Sequence, residues 1–455
     1  MIRALILAAG FAAAWPIAAA PVSGTLEMRW GDPPPGSAEG ARFEVGVVDA
    51  DGLRHAIDAD SALRASGDLF RQIGRPVAVT VAENGLRDGR LRAETIVPYG
   101  PLLPAGGVTG SRPWATLLCR FADVTAEPNP PSYFEALMSD AEGRLDHYWQ
   151  TVSYGKVDIA GSAVYGWFTL PHPRSHYIPD GESADLLALF QDCTGVADAT
   201  VDFSNFVGIN TMYNADLDCC AWGGSLWAAL DGPARSWYVT WEPPWGYANQ
   251  APLAHEMGHG FGLPHANNSD RDGDPYDNPW DVMSAAWYNV AFDATFGWQP
   301  QHIGIWSRDH LGWVDPERQL VIDAIGVHEG IVLDRASLVD SSNVQMIKVT
   351  IPGAPASRHY LIEARIRTPL YEGALAGDAV IITDVDGTRV EPAWSVDADE
   401  PPADVSNNAG SMFVVGERWT APDDAMQVDV VGRTDEGFVL NVRRGVDAVF
   451  ADGFD

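Results

Sequence analysis

The middle of the chain reads His255-Glu256-Met257-Gly258-His259-Gly260-Phe261-Gly262-Leu263-Pro264-His265. This segment matches the pattern H-E-x-x-H-x-x-G-x-x-H at every fixed position. A match of this length is far more specific than the short H-E-x-x-H pattern, which often arises by chance. Each fixed residue has a separate chemical task, and together they predict a zinc site that carries its own general base.

The spacing of the three histidines explains how one ion can bind all of them. On a helix, His255 and His259 are four residues apart and therefore share one face. Gly262 tolerates a positive φ and Pro264 cannot continue a helix, so the chain is expected to turn back and bring His265 to the same ion. Three histidines leave the fourth tetrahedral position open for water, which is typical of a catalytic zinc site.

Glu256 follows the first ligand on a neighbouring face of the helix. It can contact a metal-bound water there without binding the metal itself. Zinc lowers the pKa of such a water from about 16 towards about 7. We therefore predict Glu256 as the general base that takes the proton and, as an acid, passes it to a leaving amine. The alternatives are three surface histidines without a metal and a metal-binding but inactive site.

Composition limits the classes of partner. The 455 residues are 46% hydrophobic and 20% charged, which is typical of globular chains, and their length indicates two or three domains. The formal net charge of -33 argues against nucleic acid and anionic membranes as partners. No segment after the N-terminus is apolar enough to span a bilayer. We expect a monomer that acts on a protein or peptide.

The N-terminus resembles a signal peptide over residues 1–20. Arg3 supplies the positive charge, an apolar run follows, and Ala18, Ala19 and Ala20 offer small residues for cleavage. An uncleaved anchor is the alternative, but the apolar run is short. The segment predicts export, to the extracellular space or the periplasm.

Patterning along the chain predicts four further regions. Residues 21–110 are β-rich and form either a removable propeptide or a permanent domain. We expect residues 111–316 to be an α/β (α+β) catalytic domain, with a helix over 133–152, a hairpin over 157–170 and a helix over 182–193. Short strands between turns predict a C-terminal β-sandwich at 317–445. An acidic-aromatic tail occupies 446–455.

The four cysteines suggest disulfide bonds in an exported chain. The adjacent Cys219 and Cys220 are not expected to pair with each other, because such a bond strains the chain. We expect Cys193 to pair with one of these two. Cys119 lies in an apolar run and is expected to be a buried thiol.

The zinc motif and Met283, in the segment Trp280-Asp281-Val282-Met283-Ser284, make the chain resemble the metzincin metallopeptidases. Flanking segments, such as 146–156 and 310–313, are similar to the branch of secreted peptidases that includes immune inhibitor A and gametolysin. The resemblance implies a metzincin-like catalytic domain in which Met283 forms an apolar floor below the zinc ligands. Some metzincins place a zinc-binding Tyr two residues after this Met, where this chain has Ala285. Tyr288 is the nearest candidate for a transition-state donor.

Two further features point to binding. The carboxylates of Asp270, Asp272 and Asp274 alternate in a loop and are candidate calcium ligands, with a plain solvated turn as the alternative. Residues 222–245 contain five tryptophans, which form either core or a wall of the substrate cleft. Residues 236–242 are the candidate edge strand that pairs with substrate.

The sequence as a whole predicts a secreted zinc metalloendopeptidase with Zn²⁺ and a candidate Ca²⁺ as cofactors. Two alternatives remain open. One is an exported adhesin or carbohydrate-binding protein that retains a zinc site with little turnover. The other is a zinc hydrolase that acts on a non-peptide amide.

Overall fold

The computed structural model of the chain describes residues 21–100, 107–179, 183–284, 286–399, 408–422 and 424–445. The predicted signal peptide, the acidic-aromatic tail and Ala285 lie outside these ranges. Within them, every helix is too short or too polar to cross a bilayer.

The N-terminal region is a small closed barrel. Its elements are β1 (Val22–Asp32), β2 (Arg42–Asp49), β3 (Arg54–Ile57), α1 (Ala59–Ser66), β4 (Pro76–Arg87) and β5 (Arg90–Pro98). The strand order is β2-β3-β5-β4-β1, and β1 also pairs with β2, which closes the ring. Leu26, Met28 and Trp30 alternate along β1 and are fully buried in the barrel core. Asp32 is the last residue of β1 and continues this alternation. Its side chain therefore lies on the same face of the strand as those of Leu26, Met28 and Trp30.

The central region continues the same sheet beyond the barrel. Its strands are β6 (Gly110–Ser111), β7 (Trp114–Arg120), β8 (Val157–Asp158), β9 (Ala163–Thr169), β10 (Gly208–Tyr213), β11 (Ala221–Ala228) and β12 (Arg235–Glu242). The order from the barrel is β1-β11-β12-β10-β7-β9. Strands β1, β11 and β12 are antiparallel neighbours, whereas β12, β10, β7 and β9 are parallel. Strand β1 therefore belongs to both the barrel and the central sheet.

Helices cover both faces of this sheet. They are α2 (Pro131–Leu137), α3 (Leu145–Val152), α4 (Arg174–Tyr177), α5 (Leu186–Ala197), α6 (Pro244–Tyr247) and α7 (Gln250–Gly260). The next helix, α8 (Ile305–His310), packs on the C-terminal region. Trp114 and Leu118 of β7 share one core with α3 and α7, whereas Leu117 shares the opposite core with α5. This alternation is what a strand buried on both faces requires.

Two local predictions for this region are wrong. The single helix expected over 133–152 is two helices, because Gly143 has a φ of 77° and Arg144 is extended. Apolar residues at helical spacing continue across this break and do not reveal it. The expected hairpin over 157–170 is absent, since β8 pairs with β6 and β9 pairs with β7. The predicted helix over 182–193 begins at Leu186 and extends to Ala197.

The C-terminal region consists of two sheets that share one core. Its strands, with three short ones that precede them, are β13 (Ala266–Asn268), β14 (Phe292–Asp293), β15 (Gly297–Trp298), β16 (Gln319–Ile322), β17 (Gly326–Asp334), β18 (Met346–Thr350), β19 (Arg358–Arg365), β20 (Ala379–Asp386), β21 (Ala393–Ser395), β22 (Arg418–Thr420), β23 (Met426–Arg433) and β24 (Gly437–Arg444). One sheet has the order β13-β21-β20-β19-β18-β16 and the other β17-β24-β23-β22. Ile362 and Ile382 of the first pack with Val428 and Leu440 of the second.

The larger C-terminal sheet reaches back into the central region. Strand β13 starts directly after His265 and pairs in parallel with β21. Residues 266–268, which precede the expected boundary near residue 316, are therefore part of the larger C-terminal sheet.

The disulfide pairing differs from the prediction. Cys119 bonds to Cys193, and Cys219 bonds to its neighbour Cys220. Cys119 ends β7 and Cys193 lies on α5, which packs on that strand, so their Cα atoms are 6.0 Å apart. The sequence could not reveal this proximity, because 74 positions separate the two residues.

Replacing Cys119 and Cys193 together by alanine is expected to lower the free energy of unfolding by about 4 kcal/mol, because their bond closes a long loop in the unfolded chain. Urea unfolding in non-reducing buffer measures this difference. The matched control is the Cys219→Ala/Cys220→Ala double variant, which opens no chain loop and should lose much less. Equal losses in the two double variants would contradict the assigned role of the Cys119–Cys193 bond.

Candidate metal centre

Helix α7 places two of the predicted ligands. All eleven of its residues are buried beneath β11 and β12. The helix ends as predicted: Gly262 has a φ of 95°, and the Leu263 amide donates back to the Gly258 carbonyl at 3.1 Å. A Cβ at Gly262 would lie 2.7 Å from Ile73, so glycine serves both the turn and the packing against the barrel. The returning chain carries His265 to the other two histidines.

The three imidazoles converge on one point. Their ring centroids are 4.6 to 5.2 Å apart, and Nε2 of His255 lies 3.0 Å from Nε2 of His259. Nδ1 of His255 donates to the Val282 carbonyl, and Nδ1 of His259 donates to the Leu263 carbonyl, both at 2.6 Å. Each donation leaves a lone pair on Nε2, so two buried lone pairs face each other.

This arrangement fits a metal ion. Two facing nitrogen lone pairs repel unless a cation lies between them, and backbone carbonyls behind Nδ1 are the usual supports of metal-binding histidines. Burial lowers the pKa of His259 to about 3, so this ring stays neutral and keeps its lone pair available. The donor set of three imidazoles suits zinc.

Asp32 is a fourth donor that the sequence did not suggest. Its Oδ1 lies 2.6 Å from Nε2 of His265, and its Oδ2 lies 3.4 and 3.2 Å from Nε2 of His255 and His259. Asp32, His255, His259 and His265 thus form one buried group of ligand atoms. No local pattern marks Asp32, because 233 positions separate it from His265.

Charge within this group is balanced between Asp32 and His265. Burial alone would raise the pKa of Asp32, but His265 and His255 lower it well below its usual range. Burial alone would lower the pKa of His265, but the Asp32 carboxylate raises it. Without a metal, the two residues therefore form an ion pair in which His265 carries the proton and Asp32 the negative charge. A divalent cation would replace that proton.

Glu256 lies beside the histidines on α7 and is 1% exposed. Its Oε2 has no hydrogen-bond partner, and a Cβ at Gly223 of β11 would approach this atom to 2.9 Å. Burial, followed by the negative charges of Asp32 and Glu242, raises the pKa of Glu256 well above its usual range. Glu242 is also buried, and neither of its carboxylate oxygens has a partner. The buried carboxyl groups of Asp32, Glu256 and Glu242 thus raise one another's cost of ionisation, and a cation held by the histidines would offset their negative charge.

Met283 lies directly below the ligand helix. A Cβ at Gly258, between the two helical histidines, would lie 2.5 Å from Met283 Sδ. The Met283 carbonyl accepts from the Ala266 amide at 2.9 Å, which anchors the chain that follows His265. The preceding Val282 carbonyl supports His255, so this turn holds two of the three ligands.

Tyr276 approaches the centre, and Tyr288 does not. The Tyr276 hydroxyl donates to Asp32 Oδ1 at 2.5 Å, and its ring centroid is 5.4 Å from that of His265. Tyr288 is 47% exposed and does not line the cavity beside His255 and Glu256. Tyr276 lies on the loop between the third histidine and Met283, and no spacing pattern in the sequence marks it as part of the centre.

The tryptophan-rich segment divides between core and site. Trp222, Trp237 and Trp241 are buried in the core on the α5 side of the sheet, whereas Trp245 lines the cavity beside Glu256. The predicted edge strand over 236–242 is wrong. It corresponds to β12, which lies between β11 and β10 and has no free edge.

Carboxylates of the acidic loop, residues 269–277, form a second group, whose members differ from those predicted. Carboxylate oxygens of Asp270, Asp272 and Asp277 lie within 4.8 Å of one another. The predicted member Asp274 is not in this group; its Oδ1 accepts from the Tyr276 amide at 3.0 Å. Asp277 was missed because it lies outside the alternating D-x-D-x-D pattern.

Comparison with known proteins adds no relative. A scan against protein-family models finds no match, and a search of curated proteins finds none either. The resemblance to metzincins therefore rests on the residues of the sequence motif.

The purified chain is expected to bind one zinc ion, and His259→Ala is expected to weaken zinc binding at least 100-fold. The reason is that losing even an outer partner of a ligand costs roughly 10- to 100-fold. Elemental analysis after dialysis measures the metal content. His176→Ala, at an exposed histidine, is the matched control. Equal zinc content in the two variants would exclude the centre described above.

Proposed function

We propose that the chain is an exported zinc metalloendopeptidase that hydrolyses peptide bonds in proteins. The observation that carries the proposal is the convergence of three imidazole Nε2 atoms beside the buried carboxyl group of Glu256, whose Oε2 lacks a hydrogen-bond partner. A metal site built only for stability needs no such carboxylate. Export is proposed from the N-terminal residues and agrees with the Cys119–Cys193 bond.

The residues have separate tasks in this reaction. His255, His259 and His265 would hold zinc through Nε2, and zinc bound there supplies Lewis-acid activation of a carbonyl and of water. Glu256 accepts a proton from the attacking water and returns it to the leaving amine nitrogen. Burial raises the pKa of Glu256, which favours holding the accepted proton until it passes to the leaving nitrogen.

In this structure, the Asp32 carboxylate occupies the position beside the three histidines that a catalytic water would need. We propose that this form is latent and that residues 21–110 act as the closing segment, in agreement with the propeptide interpretation. Activity then requires β1 to leave the site.

The position of β1 also bears on substrate binding. Arg29–Asp32 of β1 pairs antiparallel with Ala221–Gly224 of β11, next to Glu256. If β1 left, this part of β11 would become an exposed edge that an extended peptide can join by backbone hydrogen bonds. We therefore propose β11, rather than β12, as the strand that binds substrate.

The carboxylate of Asp32 also favours a second candidate function. Three histidines and one aspartate complete a tetrahedral zinc site, and closed four-ligand sites are typically structural. The chain would then be an exported adhesin or carbohydrate-binding protein with little turnover. The two functions differ in what removal of Asp32 should do.

Asp32→Ala is expected to raise hydrolysis of casein at least about tenfold over the wild-type chain, because three histidines retain the metal while the fourth position opens and β1 loses the side chain that holds it in the site. A fluorescent casein assay measures the rate, and the activity should disappear with a zinc chelator. Asp49→Asn, in the same barrel but far from the centre, should leave the rate unchanged. An Asp32→Ala protein that loses zinc and cleaves nothing would favour the structural site.

In the Asp32→Ala background, Glu256→Gln is expected to lower the rate of casein hydrolysis by about 10²- to 10⁴-fold, the usual contribution of a general base. Zinc content should remain at one ion per chain, because Glu256 is not a ligand. Glu242→Gln is the matched control, since it neutralises another buried carboxylate nearby and should cost much less. Undiminished hydrolysis in the Glu256→Gln variant would refute the proposed mechanism.

A further inference from the structure

The acidic loop, residues 269–277, connects β13 with the turn that contains Met283. Three of its carboxylates, from Asp270, Asp272 and Asp277, place one oxygen each within 4.8 Å of the others. Calcium is bound by oxygen ligands at 2.3 to 2.6 Å, so oxygens on opposite sides of one ion are about 5 Å apart. The spacing of the three carboxylates therefore fits a single ion.

An independent observation comes from Asp277. This residue is 4% exposed; its Oδ1 accepts from the Asn268 amide at 3.0 Å, and its buried Oδ2 has no partner. A buried carboxylate oxygen without a donor is unfavourable unless a cation supplies the missing interaction. Burial, together with the negative charges of Asp270, Asp274 and Asp272, raises the pKa of Asp277 to about 8.

No side chain of the loop supplies that cation. Arg271 is the only basic residue in the loop, it is exposed, and it forms no ion pair with any carboxylate in the described part of the chain. The side chain of Asp274 adds a further negative charge and is held by the Tyr276 amide. The loop thus contains four carboxylates, and one of them, that of Asp277, has a buried oxygen without a hydrogen-bond donor.

We propose that the acidic loop binds one Ca²⁺ through Asp270, Asp272 and Asp277, with backbone oxygens or water completing the ligand set. The donors are all oxygens, which argues against zinc at this second site. An irregular loop suits calcium better than magnesium, since magnesium demands a near-octahedral arrangement at shorter distances. This proposal does not depend on the peptidase function.

The ion would stabilise a segment that contacts the metal centre. Tyr276 directly precedes Asp277, and its hydroxyl donates to Asp32. On the other side, Ala266–Asn268 of β13 joins the loop to His265. Calcium is therefore expected to raise the melting temperature of the zinc-loaded chain.

Titration calorimetry on the full chain tests the proposal. The protein carries Glu256→Gln to prevent self-digestion, is freed of metals, and is reloaded with one equivalent of zinc before CaCl₂ or MgCl₂ is added. We expect one calcium site with a Kd of about 10⁻³ M or tighter, weaker binding of magnesium, and a higher melting temperature with calcium.

Two variants locate the site. Asp277→Asn keeps the acceptor for the Asn268 amide and should weaken calcium binding at least tenfold, while zinc content stays at one. Asp272→Asn, at an exposed ligand, should also weaken calcium binding and avoids any effect on folding. Asp274→Asn removes the same charge from the same loop without removing a ligand, so its Kd should stay within about threefold of the parent. No calcium binding by the parent, or equal losses in Asp274→Asn and Asp277→Asn, would overturn the proposal.

Discussion

Two buried imidazole lone pairs that face each other at 3.0 Å are the constraint on which the rest of the site depends. They exist because the carbonyls of Val282 and Leu263 hold Nδ1 of His255 and His259 as donors. The first carbonyl belongs to the turn of Met283, and the second belongs to the chain that Gly262 turns back. The helix, its end and the methionine turn therefore form one support for a single cation site.

Strand β1 connects this site with the N-terminal barrel. Its alternating side chains fill the barrel core as far as Trp30, which stacks on His259 with ring centroids 4.7 Å apart. The next residue on the same face, Asp32, then lies among the imidazoles. The buried Asp32 carboxylate is stabilised either by a proton on His265 or by a metal ion. Because Asp32 belongs to β1, the position of the barrel is linked to whether the centre holds a proton or a metal ion.

The convergence of the three histidines next to Glu256 could be predicted because the relations between these residues are local. Helical periodicity places His255 and His259 on one face, and the end of a helix at Gly262 is encoded by that residue's own backbone freedom. The break at Gly143 could not be predicted, because apolar spacing continues across it. The pairing of Cys119 with Cys193 depends on which helix covers which strand, and periodicity carries no such information.

The sequence by itself determined that His255, His259 and His265 converge and that Glu256 lies beside them. This follows from neighbours within about a turn of helix and a few residues of loop. Only the tertiary structure decided that Asp32 enters the centre, that Tyr276 rather than Tyr288 accompanies it, and that Asp277 rather than Asp274 joins the acidic group. Asp32 and Tyr276 are 244 positions apart and meet because sheet pairing and barrel closure bring them together. Asp277 belongs to its group because the fold of the loop brings its carboxylate within 4.8 Å of those of Asp270 and Asp272.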